Sequence, residues 1–536
     1  MLERLVENWL DKAIERTFQV PFCHMLVNEG YTIVHLSRHC GMELGKDILA
    51  VSPEGIPCAY QLKTARGGRI SLDQWNRDIS PQITNLVAGK IVHPSIDSSV
   101  HHQSYLVTNG ILEEEVARAI DDINRQWQDQ GQGHLKLRTI VKGELIEKAK
   151  NLGPGLWPAE PLDAKLVFEL FLEKGAGVFP KSKLSSLLES ALFNDIKTRP
   201  SKEACKRQMA STALLCSLVT SSFSMKANYL AELEAWTICL SYMIGIIEKW
   251  RMSDETYKSE IELVYMILFN SLHNLVDEIR KRTHYVEGDA LVDPLYYRVR
   301  ITWLVALLSI YAFWTRFDRR EDEETELFLR EFVLNNLDKM QLYGEAAIPK
   351  FLAFYWFYRK IDGSMRPDFI LRDMINAICQ ANGSSNEDTF LANPYYEAEE
   401  ILPHLLGIAS EPLDDYFKGN SYMLEALVHL FVRKNWKQAM KMLWPEITKI
   451  STTEFAPKRR WEYCKWRNTE GEIKTNYPKM TQDWSELKEL SIESSGGNVP
   501  NIYKKYPHLF LLFLCVFPHR ANSQNIRWLD TAIRAY

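Results

Sequence analysis

The sequence predicts an α/β domain, a mixed sheet flanked by helices, over residues 1–150, followed by a large all-α region over 163–536. Three observations predict this division. Short β-branched or aliphatic runs alternate with helix-period segments only in the first 150 residues. The stretch Asn151-Leu152-Gly153-Pro154-Gly155-Leu156-Trp157-Pro158 then breaks all periodicity and marks a linker over 151–162. Beyond it, helix-period segments follow one another with almost no alternating pattern. A chain of 536 residues is long enough for two or more domains, each with its own core.

In the first part, residues 3–29 read as one helix, with Leu5, Trp9, Ala13, Phe18, Phe22, Met25 and Leu26 roughly on one face. Gly30 ends it as a C-cap glycine does. Tyr31 to Leu36 is rich in β-branched residues and predicts a strand. Two more strands follow, Asp47 to Val51 and Tyr60 to Lys63, joined through the turn Ser52-Pro53-Glu54-Gly55. Thr64 to Arg69 is a loop holding Arg66, Gly67, Gly68 and Arg69. Ser71-Leu72-Asp73-Gln74 has the form of a capping box and starts a helix. Ser104 to Thr108 predicts a strand ended by Asn109-Gly110, Glu113 to Trp127 an amphipathic helix, and Leu135 to Val141 a last strand.

The all-α region divides into segments at about 164–174, 181–194, 201–222, 226–250, 254–284, 290–317, 321–342, 345–361, 366–381, 397–410, 413–434 and 436–449. No fixed period carries a repeated signature, so no named helical repeat is predicted. The tail is less regular after about 450, which allows two subdomains. The run Lys458-Arg459-Arg460-Trp461-Glu462-Tyr463-Cys464-Lys465-Trp466-Arg467 reads either as a nucleic-acid-tracking mixture of cations and aromatics or as an amphipathic helix with core aromatics.

Composition narrows the class. A net charge of -5 excludes a globally basic nucleic-acid coat but permits a local basic groove. The nine cysteines are scattered without a CxxC pair, which predicts reduced, buried thiols in a cytoplasmic protein. The longest apolar run, Ile301 to Trp314, falls short of the roughly 18 residues of a membrane span, and it predicts a buried helix with no membrane partner.

The chemistry concentrates at the hairpin. Residues two apart on a strand face the same way, so Gln61 and Lys63 project together while Leu62 points inward. Pairing of the two strands brings Asp47 near both. An acid, an amide oxygen and a lysine at one end of a sheet suit a divalent cation and a phosphate. Taken singly, Asp47 also reads as a strand-entry turn residue and Lys63 as an edge charge that blunts pairing. Arg66 and Arg69 beside the glycine pair read either as grips on a nucleic-acid backbone or as a solvated loop. His93, His101 and His102 with Asp97 lack zinc-type spacing and read as loop residues.

The ordered set Glu15, Gly30-Tyr31, Gly45-Lys46-Asp47, Gln61-Leu62-Lys63, Tyr105-Leu106-Val107-Thr108-Asn109-Gly110 and Ile140 to Ile146 resembles the restriction-endonuclease-like (PD-(D/E)XK) nucleases, most closely the Mrr-type branch. The resemblance covers about the first quarter of the chain. It implies a restriction-endonuclease-like domain holding Mg2+ (or Mn2+). Asp47 is then the main metal ligand, with oxygens from Gln61 and the Leu62 backbone carbonyl. Lys63 positions or deprotonates the attacking water, and Glu15 is an outer acid. Gln61 stands where many members carry an acid, which lowers the negative charge of the site. Gln19 lies one turn from Glu15 on the same face, so the helix register leaves both in play. The function implied is a DNA endonuclease in prokaryotic restriction or anti-phage defence. It would act as a homodimer or higher oligomer, since two strands require two active sites. The helical region would serve as sensor, oligomerisation element or dock for an operon-encoded protein partner. Two alternatives stand beside it: a helical scaffold with an inactive nuclease-like nucleic-acid-binding domain, and an RNA-cutting toxin.

Overall fold

The computed structural model describes residues 2–36, 46–91, 93, 95–97, 99–152, 161–193, 199–282, 294–361, 368–383, 391–409, 413, 418–467, 472–476, 480, 482–492 and 494–534. Gly45 of the expected Gly-x-Asp strand and residues 153–160 of the expected linker lie outside them. The chain forms two compact units, Met1–Ile246 with Met252–Ser271, and Ile247–Arg251 with Leu272–Tyr536.

The first unit begins with α1 (Leu2–Lys12) and α2 (Glu15–Asn28). These replace the single helix expected over 3–29. Ile14, in extended backbone, separates them, and the Thr17 hydroxyl bonds both its amide and its carbonyl at 2.9 Å. The apolar period runs through this break, so the pattern alone joins the two. Gly30, at φ +89°, closes α2 with the Tyr31 amide donating to the Leu26 carbonyl at 3.0 Å, which is the Schellman pattern.

The strands are β1 (Thr32–Leu36), β2 (Ile48–Val51), β3 (Pro57–Lys63), β4 (Arg69–Ile70), β5 (Gln103–Thr108), β6 (Ile111–Leu112) and β7 (Leu137–Ile140). Five form one mixed sheet in the order β1-β2-β3-β5-β7. The hairpin register pairs Ile48 with Tyr60 and Val51 with Pro57, antiparallel, while β3, β5 and β7 run parallel. A further two-stranded ladder, β4 with β6, was not anticipated and fastens the arginine loop to the segment after Gly110.

Helices cover both faces. On one, Leu49, Ala59 and Leu106 pack against Trp75, Ile79, Ile83 and Leu86, with Val116 and Ile120 of α5 (Glu114–Asp129). On the other, Phe22 meets Tyr60 edge-on at 5.4 Å, and Tyr60 stacks on Tyr105 at 4.8 Å. The helix after β3 has three parts, α3 (Leu72–Gln74), a π-turn (Trp75–Ile79) and α4 (Ser80–Ala88). Ser71 caps it, accepting the Gln74 amide at 3.3 Å. The Gln74 side chain does not return to the cap as a capping box requires; it reaches Thr64 instead.

The C-terminal region is 67% helical. The expectation of an all-helical region is corrected by a three-stranded sheet of β8 (Asn420–Ser421), β9 (Ser451–Ala456) and β10 (Glu472–Asn476), in the order β10-β9-β8. Ser451-Thr452-Thr453-Glu454-Phe455-Ala456 is short and rich in threonine, so it yields little periodic signal. The cation–aromatic run is not an amphipathic helix either. Arg460–Cys464 is a 3-10 turn, held by the Glu462 carboxylate, which accepts the amides of Lys458 and Arg459 at 2.8 and 3.0 Å. Tyr463 and Trp466 of the run are buried as core aromatics, and Cys464 is buried with them.

Residues 301–315 of the helix Pro294–Phe317 are all buried, as expected. Among the described residues one helix, Tyr229–Trp250, is long and apolar enough to cross a membrane, and 94% of its most apolar window is buried inside the protein. The eight described cysteines are all buried, and none of them is in a disulfide.

Candidate active site

The site grows from the open end of the β2–β3 hairpin. β2 begins at Ile48, so Leu62 on β3, which pairs with Val107 of β5 on one side, has no β2 residue opposite it on the other. A backbone amide left there needs an acceptor. Asp47 supplies one: its Oδ2 accepts the Leu62 amide at 2.6 Å, while its own amide donates to the Tyr60 carbonyl at 2.8 Å. The carboxylate is thereby fixed beside Gln61-Leu62-Lys63, and Asp47 also does the work of a strand-end residue.

Both helix candidates face this hairpin. The Gln19 side chain, buried, donates from Nε2 to the Asp47 carbonyl at 3.0 Å. One turn earlier, Glu15 and Thr64 clasp each other: the Glu15 amide donates to Thr64 Oγ1 at 2.8 Å, and the Thr64 amide donates to Glu15 Oε1 at 3.1 Å. Glu15 thus bears on the residue next to Lys63, and Gln19 on Asp47. The α1–α2 break that makes this possible is held from afar. Asn109 Nδ2 donates to the carbonyls of Leu10 and Ala13, both at 2.8 Å, and Asn109 Oδ1 accepts the Ala65 amide at 2.9 Å. Gly110 beside it must be glycine, since a Cβ there would lie 2.3 Å from Ala65 Cβ.

Gln61 departs from the sequence reading. It was expected to project beside Lys63 at the open end of the sheet, yet it is 1% exposed, covered by α4, whereas Lys63 is partly exposed. Its Nε2 donates to Gln82 Oε1. Its Oε1 is buried and has no hydrogen-bond partner among the described residues. An unpartnered buried acceptor costs about 1–3 kcal/mol, and a cation is one group that offsets such a cost. A carboxylate, an amide oxygen and a backbone carbonyl from Asp47, Gln61 and Leu62 form an all-oxygen set of the kind magnesium takes. Among the described residues no three His, Cys, Asp or Glu side chains converge to hold a metal. The Asp47 set, with its single carboxylate, is not of that kind.

The neighbouring charges divide. Arg66 is turned to Asp78, at 3.0 Å. Arg69 is exposed and makes no ion pair among the described residues. Lys46 is buried and donates to the Asn85 carbonyl at 2.8 Å, a cation at the C-terminal end of α4 where the helix dipole favours one. Burial lowers its pKa to about 8. The histidines have local roles. His93 Nδ1 accepts the Ser95 amide at 3.2 Å, and Asp97 accepts from the Ser99 amide at 2.9 Å and its hydroxyl at 2.7 Å. His102 Nε2 lies 2.8 Å from the Leu86 carbonyl, and burial lowers its pKa.

Sequence reasoning missed Thr64, Gln74, Gln82, Lys46 and the clamp role of Asn109. Each acts through a partner distant in sequence, and a lone polar residue carries no pattern that names such a partner. No family model, curated protein or solved structure matches the chain.

Proposed function

We propose that the N-terminal α/β part is a magnesium-dependent nuclease that hydrolyses phosphodiester bonds of DNA. The observation that carries this reading is the Asp47 carboxylate fastened to the Leu62 amide, one residue along from a buried Gln61 oxygen with no hydrogen-bond partner among the described residues. Asp47, Gln61 and the Leu62 carbonyl would hold the ion. Magnesium or manganese there supplies Lewis-acid charge for the scissile phosphate. Lys63 holds the attacking water and offsets charge on the phosphate oxygens. Glu15, clasped to Thr64, sets the direction of the chain that carries Lys63. Arg69 grips the nucleic-acid backbone.

The wider reading is a cytoplasmic restriction or anti-phage defence protein. It works as a homodimer or higher oligomer, and the helical region senses a trigger or a partner protein. One observation favours the second reading, a nuclease-like domain that binds nucleic acid without cutting it. Gln61 is neutral and largely withdrawn from solvent, which weakens cation binding relative to an acid.

The test is full-length protein with magnesium, incubated with plasmid DNA and, in parallel, structured RNA. Wild type is expected to cut DNA, and Asp47→Ala and Lys63→Ala to lose about 10²–10³-fold or more in rate, the scale of removing one electrostatic group from a catalytic site. Cutting by the variants at the wild-type rate would falsify the nuclease reading. RNA cleavage alone moves the substrate to RNA, and binding without cleavage favours the second reading.

A further inference from the structure

The helix after β3 touches the site at three points. Gln74 Nε2 donates to the Thr64 carbonyl at 2.8 Å, Asp78 pairs with Arg66 at 3.0 Å, and Gln82 Oε1 accepts from Gln61 Nε2. These residues are spaced by four. In a regular α-helix such residues drift by about 40° per step around the axis. The π-turn Trp75–Ile79 has a wider turn, which offsets part of that drift and keeps all three directed at the segment after Tyr60.

The third contact has a chemical consequence. A carboxylate presents equivalent oxygens whichever way it turns. A glutamine amide does not: its oxygen attracts a cation and its NH2 repels one. The terminal torsion of glutamine is broad and nearly two-fold, so the side chain alone chooses weakly between the two orientations. A site built on Gln61 therefore needs a neighbour that tells the ends apart. Gln82, exposed and itself a glutamine, presents its own oxygen to the Gln61 NH2, so the two amides align head to tail and the Gln61 oxygen left over is buried with no hydrogen-bond partner among the described residues.

We infer that Gln82 is a positioning residue that fixes the Gln61 amide with Oε1 toward the cation. This rests on the metal-dependent reading of the same site. Gln82 touches neither ion nor substrate; it acts through Gln61.

The experiment is magnesium titration by calorimetry on full-length protein, with folding checked by circular dichroism. Wild type against Asp47→Ala reports on the metal reading by itself, and an absence of Asp47-dependent binding overturns both proposals together. Given that binding, Gln82→Leu, which removes the acceptor at similar size, is expected to weaken magnesium about tenfold, and Gln82→Glu, which keeps an acceptor, to stay within about threefold of wild type. The same two changes are then made on Gln61→Glu. A carboxylate needs no orientation, so Gln82→Leu on that background is expected to shift affinity less than twofold. An equal loss on both backgrounds, or a loss in Gln82→Glu matching that in Gln82→Leu, means that Gln82 only packs α4 on the sheet and overturns the inference.

Discussion

Asp47 and Asp530 sit in different units and in opposite surroundings. Asp530 is 1% exposed, in the helix Ser523–Arg534. Trp356 Nε1 and Arg359 Nη1 both donate to its Oδ1 at 2.9 Å, and Arg433 Nη1 and Arg534 Nη2 donate to Oδ2 at 2.6 and 2.7 Å. Burial raises its pKa, but Arg359, Arg534 and Arg433 together outweigh burial and hold the carboxyl below its ordinary value. Arg433 spends its remaining donors on the carbonyls of Ser491, Arg527 and Ile492 and on the Thr531 hydroxyl. Every charge in that cluster has a fixed protein partner, so the cluster ties the helices Ile348–Ile361, Leu424–Arg433, Trp484–Ile492 and Ser523–Arg534 together. At Asp47 the carboxylate holds the Leu62 amide, and the adjacent Gln61 oxygen has no hydrogen-bond partner among the described residues. A saturated network stabilises; an unsaturated acceptor beside a fixed carboxylate marks a place for something else to bind.

The sharpest way to break this contrast is to delete both carboxylates. Asp530→Ala leaves three arginines without their shared anion. Removing one partner of a buried ion pair costs about 3–5 kcal/mol, and that loss is expected in urea unfolding. Asp47→Ala leaves the amide of buried Leu62 without its acceptor and is expected to cost about 1–3 kcal/mol while abolishing cleavage. Equal destabilisation by the two changes would mean that Asp47 is a staple as well.

The hairpin that frames the candidate site was legible in the sequence because it depends on local pattern. Two short apolar runs and the Ser52–Gly55 turn yielded the hairpin, and Gly30 and Ser71 marked helix ends that the backbone bonds reproduce. What escaped depends on distant partners. Asn109 breaks the first helix from 96 residues away by taking the Ala13 carbonyl. The π-turn has no composition signal, and Gln82 is one glutamine among several on a helix surface. The β8–β10 sheet joins a two-residue strand to two others, each too short to show a period.

A third carboxylate lies between the two extremes. Glu345 is buried, with the Ser421 hydroxyl donating to Oε1 at 2.5 Å and the Tyr422 amide to Oε2 at 2.8 Å. Neither partner carries charge. Burial pushes its pKa from 4.5 up to about 7, against the pull of those two bonds. The folded state therefore holds the proton more tightly than the unfolded chain. The resulting stability is complete below about pH 4.5 and is lost as pH rises through 7. At 1.36 kcal/mol per unit the change amounts to about 3 kcal/mol. Urea unfolding between pH 4.5 and 8 is expected to show wild type losing that much relative to Glu345→Gln. Parallel curves for the two proteins would sink the assignment, and would place Glu345 with the saturated class.

The smallest effect on cleavage is expected at the clamp that serves the unsaturated site. Asn109→Ala removes two donors from the Leu10 and Ala13 carbonyls and one acceptor from the Ala65 amide. Net hydrogen bonds are worth about 1 kcal/mol each, and water entering the space left by the side chain recovers some of that, so a loss of about 2 kcal/mol is expected. Its consequence for chemistry is more telling than its size. Without the clamp, α2 is free to extend into α1, and the Glu15–Thr64 clasp shifts relative to Lys63. Misplacement of about 1 Å costs up to 10²-fold in rate, so cleavage by Asn109→Ala should fall at least tenfold while Asp47-dependent magnesium binding stays within about threefold of wild type. A variant that loses stability but cuts at the wild-type rate would show that Glu15 has no part in the site, leaving Asp47, Gln61 and Lys63 to carry it alone.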